Sequence, residues 1–326
     1  MMAAPQPNID EEYHDLPRGV YPEFVTSCRR SSELLLVDFV TTRLPLKDCC
    51  KPAAVTSRAK SDWENCVGLY KKWCKATKEE DKRKRYWTYV EKDGGRDKIR
   101  GDLGERVRSH YDRLERIASD VERLGYRIAA KILRAEMPQT ATGRSGDLGE
   151  ILATELVEEE IGLRVPVRRL RYKDGRNMAM RGDDFIGAGY DVADEKLWLL
   201  KGEAKSNITL NKSTVTSARN VLNRDNGRCT PDSLLFVANR LLESKEEDDN
   251  ELGRTIRDEV GLKSLRADRI DHMLFTVSGN GPHASLRADL NEASINRDQY
   301  VVNIHVADHQ NFIAEIYTEA EDLGDD

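Results

Sequence analysis

The chain has 326 residues, of which 39% are hydrophobic, 34% charged and 6% aromatic. This length allows two domains or one large domain with an extension, and the high charged fraction is typical of soluble proteins rather than membrane proteins. With 52 Lys and Arg against 58 Asp and Glu, the net charge of -6 excludes a chain that is basic throughout.

The N-terminal sequence MMAAPQPNIDEEYHD is unlike a secretory signal. It has acids and prolines where a signal peptide has a basic end and an apolar stretch, and no later apolar run approaches the roughly 20 residues of a membrane span. The six cysteines have neither C-x-x-C spacing nor paired histidines nearby, which indicates reduced thiols rather than a zinc site or disulfides. These features predict a cytoplasmic protein with no membrane association.

Charge is distributed unevenly along the chain. Residues 51–134 contain 23 Lys and Arg against 14 Asp and Glu, whereas residues 311–326 contain six acids and no base. Because the local field governs contact with phosphate, the basic segment can meet nucleic acid although the chain is acidic overall. Its run KEEDKRKRYWTYV suits phosphate contact and base stacking, but such a run is more often a solvated helix end.

The first part of the chain is predicted to contain a disordered start, one strand and long helices. Residues 1–30 are polar and contain proline, which predicts disorder, and SELLLVDFVTTRLPL (32–46) has the composition of a strand. Apolar residues recur at helical spacing over residues 56–90 and 103–136. Gly125 weakens the second pattern without necessarily ending the helix.

A domain boundary is predicted near residue 140. Met137-Pro138 ends the helical pattern, and the turn-rich sequence PQTATGRSGD follows. The glycines of TGRSGDLGE suit a flexible joint better than a phosphate-binding loop, because they follow a helix rather than a strand. We therefore expect residues 31–140 to form a mostly helical domain that docks a partner or contacts DNA, and residues 141–326 to form a second domain.

The second domain alternates helix and strand, which predicts an α/β (α+β) fold with a central mixed sheet flanked by helices. Its first elements are a helix (DLGEILATELVEEEIG) and three strands (residues 165–173, GDDFIGAGYDV and LWLLKGEAKS). Helices are predicted in NKSTVTSARNVL and at residues 232–244 and 251–265. Two later strands, DHMLFTVS and QYVVNIHVA, precede a closing helix, HQNFIAEIYTEAED.

The strand LWLLKGEAKS ends in Glu203-Ala204-Lys205. Glu-x-Lys also occurs at residues 80–82 and 243–245, so the tripeptide alone is weak evidence. In a strand, however, Glu203 and Lys205 point to the same side. Two charges at the end of a buried strand are costly unless they pair or bind an ion, so they indicate either a salt bridge or a metal site.

A second carboxylate for a metal site comes from the preceding strand. Asp183 and Asp184 stand just before Phe185, and a hairpin would bring them next to Glu203. Periodicity cannot choose between these two neighbours. Lys205 would then lie beside metal-bound water and phosphate. Glu150, in the helix that opens the domain, is a further acid, although its spacing from Asp147 also fits a capping box.

In this order the residues resemble the PD-(D/E)XK nuclease superfamily, whose core is a helix, three strands, a helix and another strand. The similarity covers roughly residues 143–278. The chain is most similar to the HamA family of Hachiman antiphage nuclease subunits, which carry a Gly-Glu-Ile-Leu helix start, a basic strand, a Gly-x-Asp turn and a Gly-Glu-x-Lys strand. The matching segments are Gly149-Glu150-Ile151-Leu152, residues 168–173, Gly182-Asp183-Asp184 and Gly202-Glu203-Ala204-Lys205.

The resemblance implies a restriction-endonuclease-like core and a site whose catalytic residues are Glu150, Asp184, Glu203 and Lys205. Asp184 and Glu203 would bind Mg²⁺, with Mn²⁺ as an alternative ion, Asp183 as an alternative ligand and Glu150 as an additional one. It also implies DNA cleavage beside a superfamily 2 helicase, HamB. The sequence has no G-x-x-x-x-G-K-[ST] motif, so we expect no nucleotide on this chain.

Basic residues around this core are candidates for DNA contact, or for protecting an exposed strand edge. They are Arg168, Arg169, Arg171, Lys173 and Arg176, with Lys212 and Arg219 on the helix after the Glu-x-Lys strand. Two alternatives stay open. The chain could be a non-catalytic DNA-binding or scaffold subunit that retains the nuclease fold, or a stand-alone restriction-type endonuclease.

Overall fold

The structure is a computed structural model that describes residues 68–191, 196–262 and 265–324. At its centre is one six-stranded sheet. The strands are β1 (Cys74–Asp81), β2 (Lys84–Glu91), β3 (Phe185–Asp191), β4 (Lys196–Asn207), β5 (Ile270–Ser278) and β6 (Gln299–His305). Their order in the sheet is β1-β2-β6-β5-β4-β3, with β2, β6, β5 and β4 parallel and the two edge strands antiparallel to their neighbours.

Helices cover both faces of the sheet. They are α1 (Leu69–Trp73), α2 (Gly95–Tyr111), α3 (Leu114–Leu124), α4 (Tyr126–Glu136), α5 (Ala141–Leu156), α6 (Lys212–Leu222), α7 (Pro231–Leu242), α8 (Glu247–Leu262), α9 (Ala284–Glu292) and α10 (His309–Glu321). Phe275 of β5 packs into a hydrophobic cluster with α1, α2, α5 and α10, whereas its neighbour Leu274 packs with α6 and α9 on the opposite face. The predicted mixed sheet flanked by helices is confirmed.

Residues 74–91 do not form the helix that their spacing predicted. They form β1 and β2, and β2 pairs in parallel with β6, where Trp87 lies opposite Val302. The aromatic and β-branched residues of β2 fit the half-buried surface of a sheet, and this pairing overrides the helical spacing. Only Leu69–Trp73 of the predicted helix is helical among the described residues.

The predicted helical N-terminal domain is also not separate in the part that the structure describes. All described residues fall within one compact unit, because β2 joins the same sheet as β3 to β6 and one hydrophobic cluster contains both Ile99 and Ile151. The predicted disorder of residues 1–30 and the strand at 32–46 lie outside the described residues. So do four of the cysteines, while Cys74 and Cys229 are buried free thiols.

The long helix predicted over residues 103–136 is three helices. Asp112 is extended and follows the end of α2, and Gly125 has a φ of 79° and separates α3 from α4. Glycine adopts this left-handed conformation without a steric penalty, so Gly125 ends the helix instead of only weakening it. Within the described residues, none of the helices is long and apolar enough to cross a membrane.

The strand predicted at residues 165–173 is absent. Arg164 forms an isolated bridge to Ala188 of β3, and Arg169–Tyr172 forms a 3₁₀ turn. Arg169 and Leu170 are both buried, although consecutive residues of a strand would face opposite sides. The basic residues of this segment therefore do not share one face of a strand, and each makes its own side-chain contact. The other strands predicted after residue 175, and helices α6, α7, α8 and α10, are confirmed with shifted ends, while α9 was not predicted.

Candidate active site

The Glu-x-Lys segment lies on β4 at the point where β3 begins. Phe185 pairs with Gly202 in this antiparallel hairpin, so the register continued by one residue places Asp184 opposite Glu203. The amide of Ala204 donates a hydrogen bond of 2.8 Å to Asp184 Oδ2. The hairpin therefore brings together the two carboxylates that the sequence suggested.

Glu203 and Lys205 project from the same face of β4, as the strand period predicts. Glu203 is 3% exposed, and the Lys205 ammonium donates a hydrogen bond to its Oε1. The Asp184 carboxylate lies close enough to Glu203 to raise the pKa of the Glu203 carboxyl group. The result is a compact group of two acids and one amine, with the Lys205 side chain still 30% exposed.

The acids at this position hold protons more strongly than isolated carboxyl groups. Burial, followed by the nearby Asp184 carboxylate, raises the pKa of Glu203 to about 7. Burial also raises the pKa of Asp184, against the lowering effect of Lys205. Although burial lowers the pKa of Lys205, the Asp184 and Glu203 carboxylates raise it on balance. A buried pair of carboxyl groups with raised pKa values is an environment that an added cation would stabilise.

Glu150 joins this group from α5. Burial, Asp184 and Asp147 together raise the pKa of Glu150 well above its usual range. Gly149 allows the helix to approach β4 closely, since a Cβ there would lie 3.2 Å from the Cβ of Ser206. This close approach places the Glu150 carboxyl group on the acidic site.

The capping-box interpretation of Glu150 is wrong. The helix begins at Ala141, and the Thr140 side chain caps it by accepting a hydrogen bond from the Gly143 amide. Asp147 and Glu150 therefore lie inside the helix rather than at its start. The flexible joint predicted from TGRSGDLGE is wrong for the same reason, because these glycines lie within α5.

Asp183 and Asp184 have separate surroundings. The structure therefore shows which of the two lies next to Glu203, a question that the strand period left open. Asp183 is 1% exposed, its Oδ1 lies 3.4 Å from the ammonium of buried Lys201, and its Oδ2 accepts a 2.8 Å hydrogen bond from the Thr230 amide. It thus faces the start of α7. Asp184, not Asp183, lies beside Glu203.

The site supplies some, but not all, of the ligands that a hard divalent cation needs. Within the described ranges, no group of three or more His, Cys, Asp or Glu residues is arranged to hold a metal ion. Asp184 and Glu203 nevertheless supply two adjacent carboxylates. Mg²⁺ is commonly bound by one or two carboxylates together with water and phosphate oxygens rather than by an all-protein cage. The donor set therefore fits Mg²⁺ bound together with a phosphate substrate.

Most of the predicted DNA-contacting residues form contacts within the protein. Arg168 pairs with Glu158 at 2.6 Å, Lys173 with Asp147 at 2.8 Å, and Arg219 with Asp289 at 2.7 Å. Arg171 donates to the carbonyl of Ser109, and buried Arg169 donates to that of Arg181. Two members of the set, Arg176 and Lys212, are exposed.

Sequence reasoning missed one basic residue near the site, Lys201, and named another, Arg169, only as a candidate for DNA contact. Arg169 contributes positive charge that lowers the pKa of both Glu150 and Asp184. Lys201 is fully buried on the same face of β4 as Glu203. The position of Lys201, a lysine inside the apolar run LWLLKG, was a sequence signal that it is buried. Nothing in the alternating pattern of residues 165–173 distinguished Arg169 from its neighbours.

Comparison with known proteins identifies the family of this chain. A family model described as HamA matches residues 68–320. The Hachiman protein HamA of Bacillus cereus is 28% identical over 185 residues, which make up 56% of this chain and 63% of the relative. The chain therefore spans less than two thirds of that relative's length. Since the family model covers most of the chain, the protein belongs to the HamA family.

Proposed function

We propose that this protein is a metal-dependent DNA nuclease of the PD-(D/E)XK type. The observation that carries the proposal is the group formed by Asp184, Glu203 and Lys205, in which two carboxyl groups and one ammonium meet where β3 begins. Their kind and placement match what phosphodiester hydrolysis requires: oxygen ligands for a cation and a positive group beside the reacting phosphate. Glu150 on α5 completes the acidic side of the site.

The residues have distinct proposed roles. Asp184 and Glu203 would hold Mg²⁺ or Mn²⁺, with Glu150 as an additional ligand. When bound, the ion would polarise the phosphate and lower the pKa of a coordinated water molecule. The Lys205 ammonium, partly exposed, would bind a phosphate oxygen, offset its developing charge and orient the attacking water. The Ala204 amide fixes the Asp184 carboxylate by a hydrogen bond, so this ligand needs little reordering.

In cells, we propose that the protein is the nuclease of an antiphage defence complex. Support comes from membership of the HamA family and from the similarity to a protein named Hachiman protein HamA. The sequence lacks the phosphate-binding motif of helicases, so ATP-driven work falls to a partner. We infer that this partner is a superfamily 2 helicase.

A protein partner is supported by exposed apolar residues on the α3–α4 hairpin. Five large apolar side chains there are 36% to 39% exposed: Leu114, Leu124, Tyr126, Ile128 and Ile132. Such a concentration on a soluble protein commonly marks an interaction site. We propose that this hairpin docks the helicase, in line with the partner-docking role expected for residues 31–140.

The Glu203→Ala/Lys205→Ala double variant tests the nuclease proposal in cells that carry the whole defence locus. We expect normal protein levels together with loss of phage protection and loss of DNA degradation on infection. Protection and DNA degradation equal to wild type would show that these residues do not carry the activity.

Calorimetric titration of Mg²⁺ into the purified protein separates the nuclease from a scaffold that merely retains the fold. A nuclease is expected to bind the ion, and Asp184→Ala should abolish that binding. A scaffold would bind no ion with or without Asp184.

A further inference from the structure

The segment that joins α6 to α7 has an uncommon backbone. Asp225 and Asn226 have φ values of 53° and 57°, and Gly227 follows with a φ of 73°. Three successive residues thus lie in the left-handed region, which side chains enter at a cost, although Asp and Asn enter it more readily than most. We call Arg224–Gly227 the left-handed turn.

Buried side chains from β4, from β5 and from the segment before β6 fix this turn. The Lys201 ammonium donates to the carbonyl of Arg224 at 3.2 Å, and His272 Nε2 lies 2.8 Å from the carbonyl oxygen of Gly227. The guanidinium of Arg297 donates to the same Gly227 carbonyl. Uncommon backbone conformations persist where their surroundings over-determine them, and they concentrate at ligand-binding sites. The left-handed turn is therefore held in one conformation.

The same contacts connect the turn to β4, the strand that carries Glu203. Lys201 and Glu203 project from one face of β4, about 7 Å apart along the strand. Lys201 also lies 3.4 Å from the carboxylate of Asp183, whose neighbour Asp184 is part of the site. A DNA strand whose phosphate reaches Glu203 would therefore pass close to the left-handed turn.

The exposed side of the turn carries polar side chains. The carbonyls of Arg224 and Gly227 face the protein interior, where they accept hydrogen bonds from buried side chains. The side chains of Arg224, Asp225 and Asn226 are exposed. Arg and Asn side chains donate hydrogen bonds to phosphate oxygens, whereas an aspartate repels them. A fixed turn loses little conformational freedom when it binds.

We propose that the left-handed turn contacts the DNA backbone next to the bond that is cut, with Arg224 bound to a phosphate. The proposal rests on the proposed nuclease function and adds a binding element to it. Asp225 would weaken the contact by repulsion. Substitutions at Arg224 and Asp225 should therefore change DNA affinity in opposite directions, which a purely structural role of the turn does not produce.

Binding of a duplex of mixed sequence tests this proposal, with the full chain carrying Lys205→Ala as parent so that DNA is bound but not cut. Fluorescence anisotropy would give Kd at about 50 mM and about 200 mM salt. We expect Arg224→Ala to raise Kd several-fold at the lower salt concentration and to reduce the slope of log Kd against log salt by about one. Asp225→Asn, which tolerates the same backbone conformation, should lower Kd.

Arg254→Ala is the matched control, because Arg254 is 55% exposed on α8 and pairs with Glu247. It should leave both Kd and the salt slope unchanged. Equal Kd values for the parent, Arg224→Ala and Asp225→Asn would overturn the proposal, as would equal weakening by both turn variants. If the chain with Lys205 intact cuts DNA while the turn variants bind like the parent, only this inference fails. Absence of cutting by that chain would instead count against the nuclease function.

Discussion

Asp183 and Asp184 are adjacent in the chain but have opposite energetic roles. Asp183 neutralises the fully buried Lys201, whereas Asp184 lies against the carboxyl group of Glu203 and is repelled by it. Removing one member of a buried ion pair leaves an uncompensated charge, while removing one of two repelling acids relieves strain. The two residues should therefore respond differently to the same substitution.

We predict that Asp183→Asn lowers the free energy of unfolding by about 3 kcal/mol, because the Lys201 charge loses its partner. Asp184→Asn should leave the free energy of unfolding unchanged or raise it, and should abolish DNA cleavage. Urea denaturation of both variants, with a cleavage assay on Asp184→Asn, measures these effects. Equal stability of Asp183→Asn and wild type would show that the buried pair contributes nothing.

The stability of the protein should depend on pH through Glu155, which lies outside the candidate site. Burial opposes ionisation of Glu155, but its hydrogen bond to His110 and the charges of Arg168 and Arg106 outweigh burial and lower its pKa from 4.5 to about 2. A carboxyl group with a lowered pKa in the folded state stabilises the protein above its unfolded pKa. That contribution is lost as the pH falls from 4.5 toward 2.

We predict that Glu155→Gln lowers the free energy of unfolding by on the order of 3 kcal/mol at about pH 6. The difference from wild type should shrink as the pH approaches about 3, because below 4.5 Glu155 of the unfolded chain takes up a proton while the folded state, with a pKa of about 2, holds it ionised. Urea unfolding curves of both proteins at the two pH values give the comparison. A difference that is the same at both values would contradict the assignment.

The β3–β4 hairpin depends on a glycine next to the Glu-x-Lys residues. A Cβ at Gly202 would lie 2.0 Å from the ring of Phe185, which is itself 2% exposed. The ring has no space to move without opening the hydrophobic cluster behind it. Gly202 therefore allows Phe185 to pack across the hairpin and so sets the position of Asp184.

We predict that Gly202→Ala lowers the free energy of unfolding by about 1 to 3 kcal/mol through overpacking. Gly146→Ala is the matched control, since Gly146 lies in α5 and a Cβ there meets nothing within 4 Å. Alanine at this helix position should raise stability by roughly 0.5 to 1 kcal/mol. Thermal unfolding would measure both, and a neutral Gly202→Ala would mean that the hairpin can shift.

Helices and strands were predicted correctly where the buried residues recur at the regular spacing of one type of element. β4 was predicted because its apolar run is long, and the shared face of Glu203 and Lys205 follows from the strand period alone. Periodicity could not choose between Asp183 and Asp184, because the choice depends on where β3 begins and on its register with β4, and only the family resemblance favoured Asp184. β2 was missed because its pairing with β6, more than 200 residues later in the chain, decides its conformation.

In the molecule as a whole, the two proposed binding surfaces lie on opposite sides of the sheet. Glu203 and the left-handed turn share one face of β4, whereas the α3–α4 hairpin packs near α2 and α10, which cover the opposite face of the sheet. This arrangement allows a partner to occupy the hairpin without filling the candidate site. Partner binding and DNA cleavage should therefore be separable by mutation.

We predict that Ile128→Glu/Ile132→Glu abolishes capture of the helicase subunit, because the two charges fall on the apolar face of α4. The purified variant should retain DNA cleavage. Leu262→Glu is the control, since Leu262 is 77% exposed at the end of α8. Capture of the helicase by the Ile128→Glu/Ile132→Glu variant as efficiently as by wild type would exclude the hairpin as the docking site.

Cleavage of supercoiled plasmid by the purified full chain tests the central claim most directly. With Mg²⁺ present, wild type should convert the plasmid to nicked and linear forms, and a chelator should stop the reaction. Lys205→Ala should remain folded and bind DNA but leave the plasmid intact. Cleavage by Lys205→Ala at the wild-type rate, or by wild type in the presence of the chelator, would contradict the account.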